Sequence, residues 1–418
     1  MRNVFDQYSQ PENKLTHALM VTLEQDKREL LKPFLKWLGV RVDRPVEQIH
    51  MVEQQLPGQI LSGEESNENG MAGLPDACLY DDDQWALLIE SKVQARFSLD
   101  QARRHLLTAS DRNFTNVEVL AIVVDRSEVS NARNIRSVEW RELYSWFRQQ
   151  RFRSVWAQHF TEYLEVFEAK SLADDYAIRG TLTMFDGFPF DEERPFNYRE
   201  AKRLVRLLGD ELSSRCDLHE IGIDPNADRR SKITGSQGGA IWDFLQFEGG
   251  KKAGGFNKRP HLTFALRPES AGAMLNFPHQ LTGGIKSRFA EIGLERLRDI
   301  LAQVERQIRP VLKPIDGAYA FFEVVQRHYP SRTSPPVIDA RIHADLRTQF
   351  QNTSPVKPQP EWLAAAFDLI QNKRSNLQFT LAARFPYDSP VVRSAKVVDA
   401  FAKSWIAMKP MIDVGFDN

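Results

Sequence analysis

Two cysteines in 418 residues leave no material for a disulfide framework or a structural zinc cluster. Cys78 and Cys216 lie far apart, without CxxC or Cys/His spacing, and both read as core thiols. No apolar run reaches the roughly eighteen residues that a membrane helix needs. The N-terminal "MRNVFDQYSQPENK" lacks the basic, apolar, small-residue order of a secretory signal. These absences predict a soluble, cytoplasmic protein with no membrane partner. The chain has no GxxxxGK[ST] motif, hence no ATP motif of its own, and neither an internal repeat nor a low-complexity tract. There is also little net charge. At −1 overall, with about −5 in residues 1–170 and about +4 in the rest, the chain does not coat nucleic acid non-specifically. A nuclease stays within bounds, because a carboxylate-rich metal site subtracts charge where phosphate contacts add it.

What is present is an ordinary globular balance, 42% hydrophobic and 27% charged, at a length suited to two or three domains. Leucines recurring at helical spacing predict one long amphipathic helix from Glu12 to Leu38, bent at Pro33, with Ser9 as N-cap and Pro11 in its first turn. "EQIHMVEQQL" reads as a strand and "PGQILSGEESNENGMAGL" as a loop. "PDACLY" and "WALLIESKV" read as two strands joined by the acidic turn "DDD". A helix capped by Ser98 follows, then "NVEVLAIVVD", apolar enough for a strand covered on both faces. Aromatic spacing from Glu139 to about Lys170 predicts one or two further helices. A Gly, Pro and Phe mixture after residue 172 marks the domain boundary, giving domains 1–172 and 173–418. The second domain reads as α+β: helices around residues 197–215 and 288–312, strands "HLTFALRP" and "LQFTLAARFPY", and a closing helix.

The end of the "WALLIESKV" strand carries the chemistry. Side chains alternate along a strand, so Glu90 and Lys92 project together, and Asp76 on the neighbouring strand of the hairpin can reach Glu90. Ionised groups at the end of a buried strand cost free energy unless they are paired or hold a metal. Two carboxylates are hard oxygen ligands suited to Mg²⁺ or Mn²⁺, with substrate phosphate and water completing the shell.

Pro75-Asp76 followed by Glu90-Ser91-Lys92, on successive strands of an αβββαβ order, resembles the PD-(D/E)xK phosphodiesterase superfamily over roughly the first 150 residues. The resemblance implies an α/β fold with a restriction-endonuclease-like αβββαβ core. It makes Asp76 and Glu90 metal ligands and Lys92 the catalytic lysine. It also implies an acidic residue on the first helix assisting the metal, for which Glu12 is the candidate, although Ser9 to Glu12 fits a Ser-x-x-Glu capping box equally well. Some exonuclease members carry Gln and Tyr four apart after the lysine strand; the same register here gives Gln101 and His105. With Arg104 and Thr108 these share one helical face, read either as a phosphate contact or as a solvated surface.

Outside that region no family likeness is present, and the signals are weaker. Arg229, Arg230 and Lys232 in "DPNADRRSK" are candidate phosphate contacts in a loop. "GSQGG" and "EGGKKAGGFNKR" read as flexible Gly-rich loops, and His261 in "HLT" as a strand histidine. The expectation is therefore a Mg²⁺- or Mn²⁺-dependent nuclease, DNA favoured over RNA and endonuclease favoured over exonuclease. Bacterial restriction or phage defence would be its setting and a homodimer one arrangement. The alternative is a catalytically inactive nucleic-acid-binding or scaffold protein that retains the fold.

Overall fold

A computed structural model gives the architecture and describes residues 4–41, 44–58, 74–82, 84–129, 132–173, 178–230, 233, 239–249, 258–278, 285–331, 334, 336–351, 359–371 and 376–416. The chain divides into two compact units, Met1–Met184 and Phe185–Asn418. Each has its own sheet, the first mixed and five-stranded, the second antiparallel and six-stranded.

In the first unit the predicted long helix is two. Helix α1 spans Pro11–Glu24 and α2 spans Leu31–Trp37. The break falls at Asp26, Lys27 and Arg28, whose φ of 52°, 52° and 61° lies in the left-handed region that side chains disfavour. Anchoring bonds hold it there. Ser154 donates to Asp26 Oδ2 at 2.7 Å, and Arg28 donates to the carbonyls of Val46 and Ile49 at 3.0 and 2.6 Å. Pro33 sits in the first turn of α2, where a missing N–H costs nothing, so it does not bend the helix. The α1 N-cap is Gln10 rather than Ser9.

Strands β1 (His50–Glu53), β2 (Ala77–Tyr80) and β3 (Trp85–Ser91) are followed by α3 (Leu99–Asp111), β4 (Asn116–Val123), β5 (Ile135–Glu139), α4 (Trp140–Gln150) and α5 (Val155–Ala173). The strands lie in sequence order, antiparallel from β1 to β3 and parallel from β3 to β5. β5 was not anticipated from the sequence. β3 is buried throughout because both faces are covered. Leu87 and Ile89 face the core that includes α1, α2, α4 and α5, while Ala86 and Leu88 face Ala102 and Ala109 of α3. β4 is sandwiched in the same way, as its apolar run requires.

The second unit runs α6 (Tyr198–Ser213), α7 (Cys216–His219), β6 (Ile241–Gln246), β7 (His261–Arg267), β8 (Ser270–Phe277), α8 (Ile285–Leu312), β9 (Tyr319–His328), β10 (Val337–Asp345), α9 (Leu346–Phe350), α10 (Pro360–Gln371), β11 (Asn376–Pro386), α11 (Lys396–Ala407) and α12 (Lys409–Phe416). The sheet order is β10-β9-β11-β8-β7-β6. Alternation is clean: Leu262, Phe264, Leu275, Phe322, Leu381 and their neighbours pack into a single core with the helices. Cys216, expected in a core, is exposed at the start of the short α7, whereas Cys78 is buried on β2. Among the described residues no helix is long and apolar enough to cross a membrane.

Candidate active site

The β2–β3 register pairs Ala77 with Ile89, which brings Asp76, one residue earlier, level with Glu90. Asp76 therefore stands just ahead of β2, and the extra residue matters: its Oδ2 accepts the Ser91 backbone N–H at 2.7 Å. Lys92 lies one residue beyond β3, where its N–H still bonds Ile122 of β4 at 2.8 Å and so holds the strand direction. That keeps its side chain on the face of Glu90, and Lys92 Nζ donates to Glu90 Oε1 at 2.5 Å. The three charged groups do meet.

Glu90 is 1% exposed. Its Oε1 also accepts from Gln101 Nε2 at 2.6 Å, and its Oε2 lies 3.1 Å from Nε2 of His105, which is completely buried. Gln101 and His105 are one helical turn apart on α3, so the i, i+4 geometry directs both onto one carboxylate. The Ser98 cap, accepting from Gln101 N, fixes that first turn. The two residues thus sit behind Glu90 and orient it, and a buried His105 does not face a phosphate. Arg104 lies on the exposed side of the same helix. Nδ1 of His105 has no hydrogen bond among the described residues, so the bond to Glu90 is the imidazole's single polar tie.

Charge divides unevenly between the two carboxylates. Burial works to raise the Glu90 pKa, but hydrogen bonds from His105 and Lys92 with the nearby ammonium hold it below the usual range. Asp76 goes the other way. Burial first, then the negative charge of Glu90, push it up to about 6, against the Ser91 N–H and Lys92. A proton shared by the metal-free pair therefore rests on Asp76.

Glu12 does not close a capping box. Its Oε1 accepts the backbone N–H of Gln94 at 2.8 Å and of Val93 at 3.3 Å, tying α1 to the segment that follows Lys92. Thr16, one turn on, donates to Ser91 Oγ at 2.7 Å. Glu12→Ala should lower stability by about 1–3 kcal/mol in urea unfolding, the cost of two partly buried amides losing their acceptor, and Glu12→Gln by less, since an oxygen remains. Equal losses in the two variants would show that those amides do not depend on it.

Gln54 and Asn13 are site residues that sequence reasoning missed. Gln54 adopts φ 50°, and this left-handed turn after β1 sends its N–H to the Asp76 carbonyl at 3.1 Å and its amide to Asp76 Oδ1 at 3.4 Å and Asn13 Oδ1 at 3.3 Å. No motif announces a glutamine in that conformation.

The basic loop of the second unit behaves differently from expectation. Arg229 is mostly covered, ion-paired to Asp210 and 3.7 Å from the buried Asp243, so its guanidinium is engaged within the fold rather than offered to phosphate. Arg230 lies over the Trp242 ring at 4.0 Å and donates to the Trp242 carbonyl at 2.9 Å. Lys232 lies outside the described residues, as do most of the two Gly-rich segments.

Do the residues fit a divalent cation? The donor set is two carboxylates, hard oxygens of the kind Mg²⁺ and Mn²⁺ take, and their mutual repulsion is what a dication would relieve. Both Glu90 oxygens already accept hydrogen bonds, so an ion would compete with Lys92 or Gln101 for Oε1. Among the described residues no group of three or more His, Cys, Asp or Glu side chains gathers as a metal cage. No known family model, curated protein or solved structure matches the chain.

Proposed function

We propose that the first unit is a metal-dependent phosphodiesterase acting on nucleic acid, DNA in preference to RNA, built on a restriction-endonuclease-like αβββαβ core. The observation that carries this reading is the level placement of Asp76 and Glu90 across the β2–β3 hairpin, with Lys92 beside them. They stand at the carboxyl end of β3, which runs parallel to β4, where open α/β sheets commonly hold ligands.

Asp76 and Glu90 would hold the cation, which when bound polarises a phosphoryl oxygen and lowers the pKa of its water. Lys92 holds its ammonium against Glu90 at 2.5 Å. That ammonium would orient the attacking water and offset negative charge developing on the phosphate. Gln101 and His105 keep Glu90 aimed, and Glu12 fixes the backbone leaving Lys92.

One observation favours a second reading, a nucleic-acid-binding protein without catalysis: Glu90 is already satisfied by three nitrogen donors. The two separate in one assay. Purified protein with Mg²⁺ or Mn²⁺ is given plasmid, linear duplex, single-stranded DNA and RNA. Cutting of at least one, abolished by EDTA and reduced about 10²–10⁴-fold by Lys92→Ala, supports the enzyme. Binding that ignores EDTA, with no cutting of any substrate, establishes the second reading instead.

A further inference from the structure

The six-stranded sheet has a second face. Opposite its helix-covered core lies a concavity of about 630 Å³, within the roughly 300–1,000 Å³ typical of small-molecule sites. The register explains its shape. One rung across the sheet reads Trp242, Ala265, Gly272, Arg384, Tyr319, and the next reads Phe244, Thr263, Met274, Ala382, Phe321. Aromatic side chains stand on β6 and β9, and on the three strands between them these rungs carry small residues apart from Arg384 and Met274. Four strand spacings place these aromatic walls roughly 19 Å apart.

The floor is polar and pre-ordered. Asn276 donates to Thr263 Oγ1 at 2.7 Å and accepts from Thr380 at 2.7 Å and Gln378 at 3.2 Å, and all but Gln378 are buried. Because Thr263 Oγ1 accepts from Asn276, its hydroxyl hydrogen remains to be donated. Arg327 donates to Gln378 Oε1 at 2.5 Å, while its buried Nε has no hydrogen-bond partner among the described residues. Of the arginines lining the concavity, Arg341 pairs with Glu323 at 3.3 Å, while Arg267, Arg327 and Arg384 have no carboxylate within 4.0 Å among the described residues and Arg384 donates to Ser270 Oγ at 3.0 Å. The concavity is lined by four arginines, Arg267, Arg327, Arg341 and Arg384, against two carboxylates, Glu269 and Glu323, and this excess of guanidinium over carboxylate is complementary to an anion. A merely solvated sheet face has no need of buried, mutually bonded amides and hydroxyls.

We infer that this concave face binds a nucleotide as a free ligand, its phosphate on the guanidiniums and its base against an aromatic wall. Arg384 lies in the same rung as Tyr319, so one nucleotide can meet both. The spacing accommodates a mononucleotide or dinucleotide lying along the floor, and the hydroxyl and amide groups of Thr263 and Asn276 are placed to meet base or sugar edges. The site lies wholly in the second unit, and its occupancy does not depend on the first unit being a nuclease.

The experiment is calorimetric titration of the full-length chain in EDTA, which prevents cleavage. The probes are the four ribonucleoside 5′-monophosphates, the corresponding triphosphates, a 5′-phosphorylated diadenylate, inorganic phosphate and a twelve-residue oligothymidylate. At least one mono- or dinucleotide should bind at one site per chain, at least tenfold tighter than phosphate. Arg384→Ala should weaken it at least tenfold. Arg267→Ala, on the exposed rim where folding is not at stake, should weaken it severalfold, and Lys92→Ala in the first unit should leave it unchanged. The inference is overturned by no nucleotide binding at 1 mM, by phosphate binding as tightly, by binding to the oligothymidylate alone, or by affinity that survives both arginine substitutions.

Discussion

Glu90→Ala is expected to cost about 3–5 kcal/mol of folding stability and to eliminate metal-dependent cleavage, and Glu90→Gln to eliminate cleavage while costing far less stability. The difference follows from what surrounds the carboxylate. Lys92, Gln101 and His105 all donate to it, and it is 1% exposed. Truncation leaves an ammonium and a buried imidazole without their acceptor, the situation in which breaking one side of a buried pair is most damaging. Glutamine keeps the volume and one acceptor oxygen but loses the charge a divalent ion needs. Several kcal/mol of transition-state stabilisation lost corresponds to roughly a 10³-fold fall in rate. The check is urea unfolding beside a cleavage assay. Glu90→Gln cutting within tenfold of the unaltered chain would remove Glu90 from the metal.

His105 shows why such a residue is hard to read from sequence. On α3 it shares a stripe with Gln101, Arg104 and Thr108, and helical spacing alone cannot say which side of the stripe faces the sheet. Packing of Ala102 and Ala109 on β3 and β4 decides it, turning His105 inward and Arg104 outward. Asp76, Glu90 and Lys92 were legible because a strand has period two and the hairpin is short, so proximity follows from alternation. The role of Glu12 was not, because its partners are backbone amides more than eighty residues away, and only the tertiary fold brings α1 against the end of β3.

The second unit was less legible. β8, "SAGAMLNF", is buried throughout and turns Ala271, Ala273, Leu275 and Phe277 to the core, but small residues weaken that alternation in the sequence and no β-branched enrichment marks the strand. The same small residues make room for the concave face, so what hides the strand in the sequence also opens the cleft. β10 carries polar residues on one face and Ile342 and Ala344 on the other, a pattern that gains meaning once β9 pairs with it. The break in the first helix belongs to the same class. Leucine periodicity runs past it, and the interruption depends on bonds from Ser154 and to Val46 and Ile49, partners that no local window contains.

Asp76→Asn is expected to stabilise the metal-free protein at pH 8 while abolishing cleavage, a combination that a structural ion pair does not produce. Asp76 has its pKa raised to about 6, so the folded state holds a proton that the unfolded chain releases near pH 4. Below about pH 4 the carboxyl is protonated in both states and contributes no pH dependence. As pH rises from about 4 to about 6 the unfolded chain ionises first, and the stability supplied by the protonated carboxyl is lost. Above about 6 the folded protein carries the cost of an ionised, partly buried Asp76 beside the buried Glu90 carboxylate. The displacement corresponds to at most about 3 kcal/mol, and to about 1–2 kcal/mol after screening of a side chain that is only partly buried. Asparagine avoids that cost, and its carbonyl can still accept the Ser91 N–H. Urea unfolding in EDTA should show the two proteins equally stable near pH 4, with the variant gaining steadily to a plateau above pH 6.5. Saturating Mg²⁺ should reverse the order by stabilising the unaltered protein alone. If Asp76→Asn instead destabilised the chain across the whole range and Mg²⁺ moved neither melting curve, the aspartate would be a packing residue and the cation would have no place between it and Glu90. The sign of one substitution thus separates a site that holds its charges apart for a ligand from one that has already satisfied them.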